Sequence, residues 1–145
     1  MTDMETRDIQ GHCLCGAVRL HATQYAKTVS ACHCSMCRRW TGSAMWCLDV
    51  PTEALTVEGP VATYRSSAFA ERAWCRDCGT HLWIRDDEGT EFELMPGLFD
   101  AAAKLRLRSE IYIDCAFACI SLAGDHDRRT QAEYEKDQRH VEDTP

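Results

Sequence analysis

Seven of the ten cysteines lie in three short clusters: Cys13-Leu14-Cys15-Gly16, Cys32-His33-Cys34-Ser35-Met36-Cys37 and Cys75-Arg76-Asp77-Cys78-Gly79. No other feature constrains the fold as tightly. Zn2+ takes four tetrahedral ligands and favours thiolates. A C-x-x-C turn followed by Gly brings two sulfurs to one metal, because Gly permits the backbone conformation needed after the turn. The clusters supply two, three and two thiolates. A four-cysteine site needs two pairs, and the natural pairing is Cys13 and Cys15 with Cys75 and Cys78. It joins the two ends of the region and suits a structural staple. Cys32, Cys34 and Cys37 then remain, and three protein ligands with an open position is the arrangement of a catalytic zinc. On counting alone the loop pairs can be exchanged, and Cys47 or His33 can close the second site.

Ten cysteines in a small secreted chain would read as disulfides. Here Met1 to Gln10 is polar and mixed in charge, without the apolar stretch of a secretory signal. No apolar run reaches the ~18 residues of a membrane helix. The expected compartment is the reducing cytoplasm, where clustered cysteines are metal ligands or redox groups. Lys plus Arg number 16 against 23 Asp plus Glu, a formal charge of −7. That sign opposes non-specific nucleic-acid binding, and no nucleic-acid or membrane partner is expected. The spacing leaves the oligomeric state open.

Short strands at close spacing predict an all-β domain. Val18, Leu20 and Ala22 alternate with polar residues. Ala44 to Leu48 reads as a buried strand stopped by Pro51, and Phe69 to Trp74 as another. Leu55-Thr56-Val57 and Ala62-Thr63-Tyr64 flank Gly59-Pro60 as a hairpin. His81 to Arg85 and Thr90 to Leu94 flank Asp86-Asp87-Glu88-Gly89 as a second, clearer hairpin. Ile111-Tyr112-Ile113 is the last strand, and Ala101 to Leu105 makes a helical turn or two. Residues 1–10 form a flexible lead-in, 11–124 a single zinc-binding β domain, and 125–145 a polar tail.

The ordered motif Gly11-x-Cys13-x-Cys15-Gly16, Cys32-His33-Cys34-x-x-Cys37-Arg38 and Trp74-Cys75-x-x-Cys78-Gly79 resembles the glutathione-dependent formaldehyde-activating enzyme family, which includes the centromere protein V-like domain. The resemblance runs from about Gly11 to Ile113. It implies a β-tent fold, a structural zinc on Cys13, Cys15, Cys75 and Cys78, and a second, substrate-facing zinc on Cys32, Cys34 and Cys37. It implies a carbon–sulfur lyase that condenses formaldehyde, or a similar aldehyde, with a thiol such as glutathione to give S-hydroxymethylglutathione. Cys32, Cys34 and Cys37 are then the catalytic residues. Arg38 and Arg39, with Arg76 as a further candidate, suit the two carboxylates of glutathione. Trp40 suits the wall of the pocket. The chain departs from the family at Glu110, where members often carry His, and at Ala118-Cys119, where they often carry Pro-Trp, so the rim of the site differs.

Two other functions compete. A non-catalytic zinc-stapled binding module requires a closed or empty second site, and the acidic balance opposes its chromatin-type version. A zinc–thiolate redox sensor requires that Cys32, Cys34 and Cys37 release metal on oxidation. Among the remaining residues, Cys47 reads as a buried free thiol, and Cys115 and Cys119 as core residues sharing a helical face. His33, between alternate ligands, is expected to point away from the metal. His12 reads as a surface residue or a hydrogen-bond donor beside Cys13, and His81 as a strand residue. Trp40, Trp46, Trp74 and Trp83 read as core aromatics. Asp86, Asp87 and Glu88 are turn residues.

Overall fold

The computed structural model describes residues 2–142. Met1 and residues 143–145, the outer ends of the expected lead-in and tail, lie outside the described residues. In chain order the strands are β1 (Met4–Glu5), β2 (Ile9–His12), β3 (Arg19–Ala22), β4 (Tyr25–Ala26), β5 (Thr28–Cys32), β6 (Met45–Pro51), β7 (Leu55–Glu58), β8 (Val61–Arg65), β9 (Ala70–Cys75), β10 (His81–Asp86), β11 (Glu91–Leu94), β12 (Arg106–Ile111) and β13 (Asp127–Arg129). Two short helices, α1 (Ser35–Thr41) and α2 (Gln131–Glu135), interrupt them. The fold is therefore mostly β, as the strand spacing predicts. No helix among the described residues is long and apolar enough to cross a membrane.

The chain forms two compact units, one of residues through Thr28 with Cys47–Arg106, the other of Val29–Trp46 with the chain from Leu107. In the first unit β2, β3 and β7 make an antiparallel sheet. Alternation sends Ile9, Leu20 and Ala22 inward, while Gln10 and Arg19 face out. Strands β6, β11, β10, β9 and β8 follow one another in a second antiparallel series. Leu48, Val50, Leu82 and Leu94 are fully buried there. The β10–β11 hairpin forms as expected, with Trp83 opposite Leu94, and the Trp83 and Phe92 rings meet edge to face at 5.2 Å.

The hairpin expected around Gly59-Pro60 does not form. The turn exists, but β7 pairs with β3 and β8 with β9. The Val61 N–H bonds the Gly59 carbonyl at 3.0 Å, and the Pro60 carbonyl accepts from Arg76 at 2.8 Å. Proline has a fixed φ and no N–H to offer a ladder, so the dipeptide redirects the chain instead of reversing it.

In the second unit β12 lies between β5 and β13. The last strand starts earlier than the apolar triplet suggests and ends at Ile111, because Tyr112 adopts a left-handed φ of 56° and turns the chain. The segment expected as a tail opens with β13, which runs parallel to β12 with Ser109 opposite Asp127. Side-chain bonds brace it. Arg128 donates to the carbonyls of Leu122, Gly124 and His126. Thr130 then begins α2 with a reciprocal capping box to Glu133. In the expected lead-in, Met4–Glu5 pairs with β4, and Ile9 and Gln10 belong to β2.

Candidate metal centres

Two groups of cysteines converge, one in each unit. In the first unit the sulfurs of Cys13, Cys15, Cys75 and Cys78 lie within 4.8 Å of one another. Cys13 follows β2 and Cys75 ends β9, so the sheet strands deliver one member of each pair. Tight turns deliver the other. The Gly16 N–H bonds the Cys13 carbonyl at 3.0 Å and the Gly79 N–H bonds the Cys75 carbonyl at 2.8 Å. Both glycines take positive φ, 79° and 78°, a conformation that costs a residue with a Cβ.

The Cys13–Cys15 and Cys15–Cys75 sulfur separations are 3.6 and 3.9 Å. A tetrahedron with ~2.3 Å Zn–S bonds has edges of about 3.8 Å. The donor set thus fits a tetrahedral metal. Cys13 and Cys75 are fully buried, where an unpaired thiolate would be costly. The Val18 N–H already donates to Cys13 Sγ at 3.2 Å. Thr80 was not singled out by the spacing. Its hydroxyl lies 3.2 Å from Cys78 Sγ and accepts from the Leu14 N–H at 2.9 Å. Hydrogen bonding to Thr80 holds the Cys78 thiol down at about 5. Arg76 is exposed within this group's own turn.

In the second unit the sulfurs of Cys32, Cys34 and Cys37 lie within 4.8 Å of one another. Cys32 ends β5, Cys34 caps α1, and Cys37 lies in the first turn of α1. The Cys34 sulfur accepts from the Cys37 N–H at 3.4 Å. Crowding divides the ionisation of these thiols. Hydrogen bonding from Cys32 draws Cys34 down to about 2, and the same contact pushes Cys32 well above its ordinary value. A cation among them relieves that conflict, so this group fits a metal as well. Among the described residues no fourth cysteine, histidine or carboxylate joins it.

The alternatives that counting leaves open are thereby placed. Cys47 is buried in β6 and lies in neither group. His33 is also in neither group. It is 2% exposed, and its Nε2 donates to Glu110 Oε1 at 2.7 Å. Glu110 is itself 1% exposed, and its Oε2 accepts from His126 Nε2 at 2.6 Å. Burial acts to raise the Glu110 pKa, but hydrogen bonds from His126 and His33 outweigh it and hold the carboxyl below its usual range. Arg128 Nε lies 3.4 Å from the same Oε2. His126 carries no local sequence signal, because it sits in a polar stretch 16 residues from its partner.

The substrate candidates occupy α1. Arg39 is exposed and Trp40 is half-buried. Arg38 donates to the Cys115 carbonyl at 3.3 Å, and its guanidinium stands 5.4 Å from the centre of the Phe117 ring. The core expectation for Cys115 and Cys119 fails. Cys115 is half-buried and contacts Gln131 Oε1 at 3.5 Å, while Cys119 is exposed. Residues Ile113–Cys115 form one 3-10 turn followed by Ala116 in extended backbone, so a four-residue spacing does not share a face. Of the four tryptophans Trp83 is buried and the others are half-buried. His12 is exposed, with Nδ1 donating to the Cys13 carbonyl at 2.7 Å. His81 is half-buried, and burial, then Arg72, lowers its pKa.

The sequence model of the glutathione-dependent formaldehyde-activating enzyme family matches residues 8–115. The chain belongs to that family. Among family relatives, an uncharacterized lyase of Schizosaccharomyces pombe is 32% identical over 120 residues, covering 80% of this chain and 86% of its own. A Halomonas elongata protein named for glutathione-dependent formaldehyde activation is 29% identical over 93 residues, 57% of this chain and 59% of its own. A crystal structure of a Rhodobacter sphaeroides protein shares the fold at a TM-score of 0.55, with 20% identity over 68% of this chain and 99% of the other.

Proposed function

We propose that this family member is a carbon–sulfur lyase that works on glutathione adducts and joins glutathione to formaldehyde or a similar small aldehyde. The observation that carries this reading is the three-cysteine group, Cys32, Cys34 and Cys37, without a fourth protein ligand among the described residues. A structural centre uses four protein ligands, and a reactive one uses three. Cys13, Cys15, Cys75 and Cys78 hold the structural zinc, and Cys32, Cys34 and Cys37 hold the second. When bound there, zinc supplies a soft Lewis-acid position that favours a thiol in its thiolate form.

The reaction balances without an oxidant. The glutathione sulfur forms a bond to the aldehyde carbon, the carbonyl π bond opens, and the oxygen takes the proton that the thiol gave up. The product is a hemithioacetal, and the reverse reaction breaks the same C–S bond. The chain's residues bind and orient. The exposed Arg39, and Arg38 where its guanidinium meets Phe117, pair with the glutathione carboxylates, and Trp40 flanks them. Holding two reactive partners together supplies most of the acceleration for so reactive an aldehyde. Cysteines clustered as metal ligands suit a reducing compartment such as the cytoplasm.

Cobalt tests the centre directly. Protein loaded with two Co2+ is expected to show thiolate-to-cobalt charge transfer from both sites. Millimolar glutathione should change the bands of one site saturably. Unchanged bands would mean that both centres are closed, which is the binding-module reading. A second expectation concerns Arg39. The Arg39→Ala variant should raise KM for glutathione about 10-fold while leaving kcat nearly unchanged, because one charge-assisted bond is lost from ground and transition states alike. Steady-state kinetics at varied glutathione checks this, and an unchanged KM removes Arg39 from the binding site.

A further inference from the structure

We infer that Glu110 is a positioning residue for the three-cysteine centre, acting through His33, and that His126 and Arg128 hold Glu110 in place for that role. The inference rests on the reading that Cys32, Cys34 and Cys37 carry a metal.

His33 sits between two of the cysteines, so its placement sets the separation of the Cys32 and Cys34 sulfurs. It is anchored twice to adjacent residues of β12. Its N–H donates to the Ile111 carbonyl at 3.1 Å, and its ring donates to Glu110 Oε1 at 2.7 Å. A peptide and a ring fixed together leave the loop little freedom to splay.

The second anchor is a carboxylate with almost no contact with water. A buried carboxylate persists only when its oxygens are paired. Here each oxygen receives its own imidazole, at 2.7 and 2.6 Å, and the three side chains are only 1–2% exposed. Bonds this short to an ionised acceptor are the strong, directional kind. His126 is committed to the task, since its Nδ1 is buried without a partner among the described residues and its Nε2 bond to Glu110 sets the ring. The polar segment after Gly124 therefore supports the cysteine loop from behind, through a histidine and an arginine that bind no metal themselves. Other groups reach the neighbourhood without entering this cluster. Tyr112 turns away to donate to Glu135 Oε1 at 3.0 Å, and Cys115 contacts Gln131.

A structural role alone would lower the stability of the unit and leave the metal unaffected, so the test reads metal affinity. Apo protein is titrated with Co2+, following the charge-transfer bands of the two sites against a competing chelator. Glu110→Gln keeps the size of the side chain and removes its charge. It also offers an N–H to one imidazole nitrogen that already carries a proton. The expected result is a drop in affinity at the three-cysteine site of about 10–100-fold, the usual effect of losing an orienting partner. The four-cysteine site should keep its affinity and bands.

A three-cysteine site that binds Co2+ as tightly in a folded Glu110→Gln protein as in the wild type overturns the inference, whatever happens to the melting temperature. Should that variant fail to fold, His126→Asn is read by the same criterion, since it withdraws one imidazole and leaves the His33 bond in place. If the wild-type chain takes up a single Co2+, the three-cysteine reading fails and the inference falls with it. If the wild type takes up two and the variants do so with unchanged affinity, only the inference falls.

Discussion

Cys34→Ser is expected to lower kcat/KM for hemithioacetal formation by more than about 100-fold, since even an orienting partner is worth 10–100-fold and Cys34 is a direct ligand. Bound zinc should fall from two ions per chain to one. The choice of serine makes the result specific. Cys34 also caps α1, and its sulfur accepts from the Cys37 N–H. Serine is among the best residues at such a cap, so the helix survives the change. A hydroxyl is a hard, weakly acidic donor, however, and does not replace a thiolate on zinc. Metal analysis, circular dichroism and initial rates separate these effects. Undiminished turnover with one zinc per chain would sink the proposed function.

Cys75→Ser is expected to act on stability instead. Its sulfur is fully buried among Cys13, Cys15 and Cys78, at the junction of two strand ends. Structural zinc contributes about 10–16 kcal/mol in small zinc-dependent folds, as much as the whole stability of an ordinary domain. Part of that loss is recovered by residual packing. Each kcal/mol shifts the melting midpoint of a chain this size by roughly 4 °C, so a fall of more than about 10 °C is the expected outcome. Thermal unfolding of wild type and variant, each with and without added Zn2+, checks it. An unchanged midpoint would mean that the four thiols pack without metal.

The two variants should also be separable. Among the described residues each cysteine group lies within one compact unit. Cys34→Ser should leave the melting transition largely in place, and Cys75→Ser should not.

Much of the candidate site is legible in local spacing. A C-x-C or C-x-x-C turn closes over a few bonds, and the glycine after it permits the positive φ seen at Gly16 and Gly79. The β10–β11 hairpin is legible for the same reason, since its acidic turn and alternating flanks are local. Several of the failures are choices of a distant partner. Leu55-Thr56-Val57 and Ala62-Thr63-Tyr64 look like two arms of a hairpin, yet each finds a better-buried partner strand elsewhere. Cys115 and Cys119 have helical spacing and no helix, because the chain makes one 3-10 turn and then extends, and Cys115 is held by Arg38 and Gln131. Strand β13 is invisible in an apolar pattern because hydrogen bonds from Arg128 stabilise it, not hydrophobic burial.

From its amino acids alone, this chain's β class, its family resemblance and its seven clustered thiolates follow, since strand alternation and cysteine spacing are properties of neighbouring residues. The grouping of Cys13 and Cys15 with Cys75 and Cys78 was the natural pairing from the sequence, and tertiary structure decided only against the exchanges that counting leaves open, with Cys32, Cys34 and Cys37 standing by themselves. It alone gave His33, expected from its place between ligands to face away from the metal, a glutamate 77 residues away as its partner, and backed that glutamate with His126. A buried charge takes whichever partners the folded backbone brings within about 3 Å, and no local pattern encodes which those are.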